Sequence, residues 1–147
     1  MKKVLSRNWY FKEGDKWEKV TIPHTPRIED YNVYHPFQGK SYYKYNLGLS
    51  KADISKRIIL EFEAVMQYCE VKVNGVIEAV HKGGYLPFYI DLTGKVGKSN
   101  VIEVMADNSD DPEIPPGKPW DLLDFCYFGG IYRNVNLYIT DKLAITH

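Results

Sequence analysis

The chain has 147 residues, which suits a single domain covering 1–147, and its 19 basic and 19 acidic side chains leave no formal net charge. Nucleic acids and anionic membranes attract proteins with an excess of positive charge, so this balance argues against both as partners. No apolar run approaches the roughly 18 residues of a membrane-spanning helix, and the basic N-terminus lacks the apolar region of a secretion signal. Periplasmic and cytoplasmic locations both stay open.

The dominant pattern along the chain is an alternation of apolar and polar residues, which is typical of half-buried β-strands. Asn74-Gly75 separates two alternating runs and predicts a tight hairpin with a type I′ turn. The only helical signal is Ser50, which is placed to cap one turn reaching Asp53. The alternating runs are 41–49, 56–65, 68–73, 76–80, 101–107 and 131–139, with a further strand starting at Phe88.

Glycines and prolines separate these runs. Short strands between such turns predict an all-β fold, either a β-sandwich or a jelly roll. Two long irregular stretches interrupt the pattern, from about His24 to Lys40 and from Asp107 to Gly130. Both are rich in aromatic residues and proline, so we expect packed loops that line a surface. Aromatic residues form 14% of the chain, a richness that suits a thick core and equally suits the stacking of sugar rings.

The sequence contains few recognisable catalytic motifs. The four histidines and two cysteines show no metal-ligand spacing, and no cofactor motif occurs. The G-x-S-x-G signature of a serine nucleophile is absent. A glycosidase needs two carboxylates flanking a pocket, and nothing in the sequence pairs any two of its acids. We therefore expect a binding domain without catalytic residues, with Cys69 and Cys126 as free thiols.

An ordered set of motifs resembles the N-terminal jelly-roll domain of glycoside hydrolase family 2, which includes β-galactosidases, β-glucuronidases and β-mannosidases. The resemblance covers nearly the whole chain. Each motif is weak alone, whereas the ordered set, with its closing G-G-I-Y-R, is specific. The motifs are KVTIPHT (19–25), FEAV (62–65), VKVNG (71–75), HKGGYLPFYIDLT (81–93), IEVMADNS (102–109) and DFCYFGGIYRNVNL (124–137).

The resemblance implies a role for Asp124. In the family, an acid ahead of an aromatic segment and a Gly-Ile step reaches into the pocket of another domain and binds sugar hydroxyls. Phe125 and Phe128 would anchor the loop, and Gly129-Gly130 would turn it back into the sheet. Without the resemblance, Asp124 reads as a cap of a turn or helix. Three further residues are substrate-binding candidates. Trp120 and Tyr127 are equally suited to packing, and no flanking motif fixes the alignment of Asn32.

The same resemblance implies the partners. The chain would be the first part of a retaining, β-galactosidase-like glycosidase and would contact a β-linked, galactoside-like sugar. An immunoglobulin-like domain and a (β/α)₈ barrel with the catalytic glutamates would follow it, so the 147 residues alone are expected to be inactive. The alternative is a stand-alone carbohydrate-binding module or lectin that binds sugar through aromatic residues on its own concave face.

Overall fold

The computed structural model describes residues 1–27, 37–123 and 128–143, without the side chain of Trp120. Within these ranges almost all regular structure is β-strand, with one short α-helix and one 3₁₀ turn. The helix α1 is Lys51–Ile54 and the 3₁₀ turn is Trp120–Leu122; the strands are β1 (Lys2–Val4), β2 (Trp9–Lys12), β3 (Glu18–Val20), β4 (Lys40–Gly48), β5 (Arg57–Phe62), β6 (Tyr68–Val73), β7 (Val76–Lys82), β8 (Phe88–Asp91), β9 (Ser99–Asp107) and β10 (Val135–Thr140).

The strands form two antiparallel sheets. A six-stranded sheet has the order β3-β2-β4-β9-β6-β7, and a four-stranded sheet has the order β1-β10-β5-β8. The all-β sandwich predicted from the alternating runs is therefore confirmed. No helix in the part of the chain described here has the length and apolarity needed to cross a bilayer.

The core lies between the two sheets and is built by the inward parity of each strand. Ile58, Leu60 and Phe62 of β5 are fully buried, as the alternation predicts. Phe62 stacks on Phe88 of β8 with ring centroids 5.1 Å apart, so two strands of one sheet share an aromatic layer. The facing sheet contributes residues of the matching parity from its central strands, namely Tyr43, Leu47, Cys69, Val71, Val73, Ile102, Val104 and Ala106.

Local signals in the sequence correspond to observed turns. Asn74 and Gly75 have φ values of +51° and +82°, which a type I′ hairpin requires. The Ser50 side chain accepts a hydrogen bond from the Asp53 amide at 3.1 Å and so caps α1. The final run was predicted to alternate from Ile131, whereas β10 begins only at Val135.

Strand register decides where the two irregular stretches meet. Lys40, the last residue of the first stretch, pairs with Asp107, the first residue of the second. Tyr68 of β6 pairs with the same Asp107 from the other side. The two predicted loops therefore leave the sandwich at one end of the six-stranded sheet, on neighbouring strands.

Candidate functional site

The predicted sugar-binding residues fall where the structure gives no description. Asp124, Asn32 and Tyr127 lie outside the described residues, as does the side chain of Trp120, whose backbone begins the 3₁₀ turn. The residues that flank these positions are described, and several of them are in contact. We call this set the loop-root cluster: His24, Tyr43, Asn108, Gly129 and Gly130.

Asn108 connects residues that flank the segment 28–36 with residues that flank the segment 124–127. Its side chain is almost completely buried. The Oδ1 atom accepts a hydrogen bond from the Gly39 amide at 2.9 Å, and Nδ2 donates to the Phe37 carbonyl oxygen at 2.9 Å. The same amide group packs against Gly129, where an added Cβ would lie 3.0 Å from Cγ of Asn108. The buried side chain of Asn108 thus holds Phe37 and Gly39, which follow 28–36, against Gly129, which follows 124–127.

Gly130 makes the second close approach. Its φ is +89°, a conformation that favours glycine, and an added Cβ would overlap the Tyr43 hydroxyl and come within 3.0 Å of the His24 carbonyl oxygen. Its own carbonyl accepts a hydrogen bond from the Met66 amide at 3.0 Å. The Gly129-Gly130 pair was predicted to turn the chain back into the sheet, and Gly130 does so in a space that admits no side chain.

His24 and Tyr43 form the floor of the cluster. The His24 Nδ1 atom lies 2.9 Å from the Tyr43 hydroxyl oxygen, and the His24 amide donates to the Ile131 carbonyl at 2.8 Å. Burial lowers the pKa of His24, against an opposing effect of Glu18, so the ring is neutral at pH 7. Burial also raises the pKa of Tyr43, partly offset by a backbone hydrogen bond with Ile131. Burial therefore favours the uncharged form of both side chains, which fits a positioning role.

A second layer supports the cluster from β6 and β7. The Gln67 Nε2 atom donates to the Ser109 carbonyl oxygen at 2.6 Å, and the Gln67 amide donates to the Asp107 carbonyl oxygen at 3.0 Å. The Tyr132 hydroxyl donates to the Gly84 carbonyl oxygen. Gln67, directly before β6, therefore holds the start of the second irregular stretch, and Tyr132 connects the chain after that stretch to the segment after β7.

The aromatic residues around the cluster divide by exposure. Phe128, expected to anchor the loop, is 38% exposed, and Tyr85 is 44% exposed. Phe88, expected in the core, is buried. The close contacts at this point come from the two glycines and Asn108, whereas Phe128 and Tyr85 leave apolar surface exposed.

The described residues around the loop-root cluster are suited to holding other parts of the chain in place. Among the residues the structure describes, no three side chains of His, Cys, Asp or Glu come together to hold a metal ion. Cys69 is buried and free, and burial raises the pKa of its thiol to about 12, so it is no nucleophile. The arrangement can fix loops in place and present their side chains.

The sequence did not reveal Asn108 or the pairing of His24 with Tyr43. Asn108 lies within the acidic segment DNSDDPE (107–113), whose composition is typical of a solvated turn. The available signal was the adjacent pair Gly129-Gly130, because two glycines in succession indicate a backbone pressed against another part of the chain. Which residue presses on them depends on register across β4 and β9, which the sequence does not give.

Comparison with known proteins places the chain in a family. The family model described as "Glycosyl hydrolases family 2, sugar binding domain" matches residues 5–141. A β-galactosidase of Thermoanaerobacterium thermosulfurigenes is 36% identical over 99% of this chain and 22% of its own length. A β-glucuronidase of Bacteroides fragilis is 32% identical over 97% of this chain and 21% of its own length.

Solved structures give the same result for the fold. The crystal structure of a putative β-galactosidase from Bacteroides fragilis superposes with a TM-score of 0.83 at 34% identity, over 95% of this chain and 23% of that one. A Bacteroides uniformis β-glucuronidase superposes with a TM-score of 0.84 at 26% identity, over 93% of this chain and 17% of that one. The chain thus spans about a fifth of the length of these relatives.

Proposed function

Because this chain belongs to the sugar binding domains of glycosyl hydrolases family 2, we propose that it is the sugar-facing domain of a retaining β-glycosidase with β-galactosidase-like specificity. Its similarity to proteins named β-galactosidase and β-glucuronidase supports the hydrolysis of O-glycosidic bonds as the activity of the whole protein. The substrate is a β-linked sugar, with a galactoside-like compound as the first choice.

The proposed division of labour gives this chain binding and leaves bond cleavage to another domain. Retaining hydrolysis uses two carboxyl groups about 5–5.5 Å apart, one as nucleophile and one as acid and base. We assign both to a (β/α)₈ barrel that follows this chain beyond an immunoglobulin-like domain. The share of the relatives' length that the chain leaves uncovered supports room for such domains.

The observation that carries this proposal is the loop-root cluster. Asn108 holds Phe37 and Gly39 on one side and Gly129 on the other. The described ends of the two aromatic stretches are thereby fixed next to each other on a rigid sandwich. A binding wall needs side chains whose positions are set before the ligand arrives, and such a base supplies that rigidity.

Asp124 is the residue proposed to contact the sugar. A carboxylate accepts hydrogen bonds from two neighbouring hydroxyl groups, and bonds to a charged acceptor contribute roughly 1.5–3 kcal/mol each. Asn32, Trp120 and Tyr127 are proposed as further walls of the same pocket. The backbone reversal at Gly129 and Gly130, directly after this stretch, supports a loop that projects from the sheet and returns to it.

The test replaces Asp124 by alanine in the complete enzyme and measures kcat/KM on an aryl β-galactoside. We expect kcat/KM to fall at least about a hundredfold, since two charge-assisted hydrogen bonds are lost. Asp124→Asn, which keeps an acceptor oxygen of similar size, should lose less. The melting temperature should stay within about 2 °C, as for a side chain outside the core.

Asp141→Ala is the matched control, because this carboxylate is exposed just after β10 and away from the loop-root cluster. It should leave kcat/KM unchanged. Equal kcat/KM for the Asp124→Ala variant and the parent enzyme would remove the proposed role of Asp124.

A further inference from the structure

The outer face of the six-stranded sheet carries a cleft that the proposed function does not use. Its volume is about 570 Å³, and its walls come from β2, β4, β9 and β6, with Trp17 contributed by the segment just before β3. We call it the sheet-face cleft. Its principal side chains are Lys12, Trp17, Tyr42, Glu70, Lys72 and Glu103.

One end of the cleft combines exposed aromatic rings with ammonium groups. Trp17 is 42% exposed and Tyr42 is 39% exposed. The Lys12 Nζ atom lies 4.9 Å from the centroid of the Trp17 ring and 5.8 Å from that of Tyr42, and Lys44 Nζ lies 5.6 Å from the Trp17 ring. These contacts are within cation–π range, so the rings help to hold both ammonium groups in place.

Within the described part of the chain, Lys12 and Lys44 form no ion pair, since the ion pairs found there involve other residues. Two positive charges therefore converge on one indole ring, and Glu103, which lies opposite Lys44 in the strand register, forms no ion pair with either lysine. An anion that also offers an apolar ring face would satisfy both features, because its charge meets the lysines and its ring stacks on the aromatic surface.

The other end of the cleft is richer in acceptors. Glu103 of β9 lies between Lys44 and Lys72 in the strand register. Glu70 of β6 accepts a hydrogen bond from the Tyr68 hydroxyl at 2.9 Å. Carboxylates in this position repel a polyanion and accept hydrogen bonds from hydroxyl groups. Lys12 on β2 and Glu70 on β6 are about 14 Å apart, because three strand spacings of about 4.8 Å separate the two strands.

We propose that the sheet-face cleft binds a short oligosaccharide that carries one uronic acid residue. The uronate carboxylate lies between the ammonium groups of Lys12 and Lys44, and a sugar ring stacks on Trp17. Neutral sugar units extend across β9 toward β6, where Glu103 and Glu70 accept hydrogen bonds from their hydroxyl groups. This site is separate from the loop-root cluster, and the proposal does not rest on the role of Asp124.

The test uses titration calorimetry on the purified chain, whose residues 1–143 contain both sheets and the core between them. The probe is aldotetraouronic acid, a xylotriose bearing one methylated glucuronate. The matched probe is its carboxyl-reduced form, in which only the acid group has become an alcohol. We expect the acid to bind at least about tenfold more tightly, as for one charge-assisted hydrogen bond, and less tightly at high salt.

Three variants assign the site. Trp17→Ala should weaken binding of both probes, and Trp17→Phe should restore most of it. Lys12→Met combined with Lys44→Met should abolish the preference for the acid, whereas Lys3→Met, an exposed lysine on the other sheet, should not.

Equal affinity for the two probes, or no binding at about 10 mM probe, would overturn the proposal. So would full binding by the Trp17→Ala variant, because that result places the sugar elsewhere. Thermal unfolding of every variant verifies that the sandwich remains folded.

Discussion

At the scale of single residues, Gly130 is a position that has no room for a side chain. Replacing it by alanine combines a left-handed backbone conformation with overlap on the Tyr43 hydroxyl and the Pro26 ring. We expect the free energy of unfolding to fall by about 2–4 kcal/mol, measured by urea denaturation. The change should also loosen the loop-root cluster, since Tyr43 and His24 must shift to admit a methyl group.

Gly14→Ala provides the control at this scale, because no atom lies within 4 Å of the added Cβ. Its stability should change by less than about 0.5 kcal/mol. Equal stabilities for the two alanine variants would contradict the tight packing described around Gly130.

Residue parity was readable from the sequence, whereas residue partners were not. The inward positions Ile58, Leu60 and Phe62 followed from alternation alone. Exposure of Phe128 was not foreseen, because an aromatic residue in a loop carries no periodic signal. Trp17 also escaped notice, since its neighbours in sequence are charged and its lysine partners arrive from other strands.

At the scale of strands and turns, Asn100 joins three connections. Its Oδ1 atom accepts hydrogen bonds from the Gly97 amide at 2.8 Å and from Asn74 Nδ2 at 3.0 Å. Its Nδ2 atom donates to the carbonyl oxygens of Gly97 at 2.7 Å and Leu47 at 3.2 Å. The end of β4, the loop before β9 and the β6–β7 hairpin therefore depend on one buried amide.

Asn100→Ala should lower the free energy of unfolding by about 2–3 kcal/mol, because buried backbone groups lose their partners. Hydrogen exchange should show the largest loss of protection at the β6–β7 hairpin and at the end of β4. Asn46→Ala, an exposed residue of β4, serves as the control and should be nearly neutral. Comparable losses in both variants would mean that the shared amide is not what holds these turns.

The longer strands were predictable, and the short ones were not. Strands β4, β5, β6 and β9 contain six to nine residues, enough to establish a period of two. Strands β1 and β3 have three residues each, and β2 has four, so alternation within them carries little information. Their positions are fixed by the pairing of β1 with β10, of β2 with β4 and of β3 with β2, which only the folded chain reveals.

At the scale of the whole molecule, two sugar-facing surfaces are proposed on one sandwich. The loop-root cluster lies at one end of the six-stranded sheet, and the sheet-face cleft lies on that sheet's outer face. Strand β4 links them, since Tyr43 lies in the core beneath the cluster while Tyr42 lines the cleft. Ligand at one surface therefore need not obstruct the other.

Hydrolysis is the property we expect the chain to lack by itself. The proposed role of Asp124 is ground-state and transition-state binding of hydroxyl groups, whereas cleavage requires a nucleophile and an acid arranged around the glycosidic bond. The 147-residue chain should release no nitrophenol from aryl β-galactosides or β-glucuronides above the rate without protein. The complete enzyme, assayed in parallel, is the positive control. Turnover by the chain that disappears when two of its own carboxylates are replaced by amides would refute the division of labour, because the catalytic pair would then lie within the sandwich.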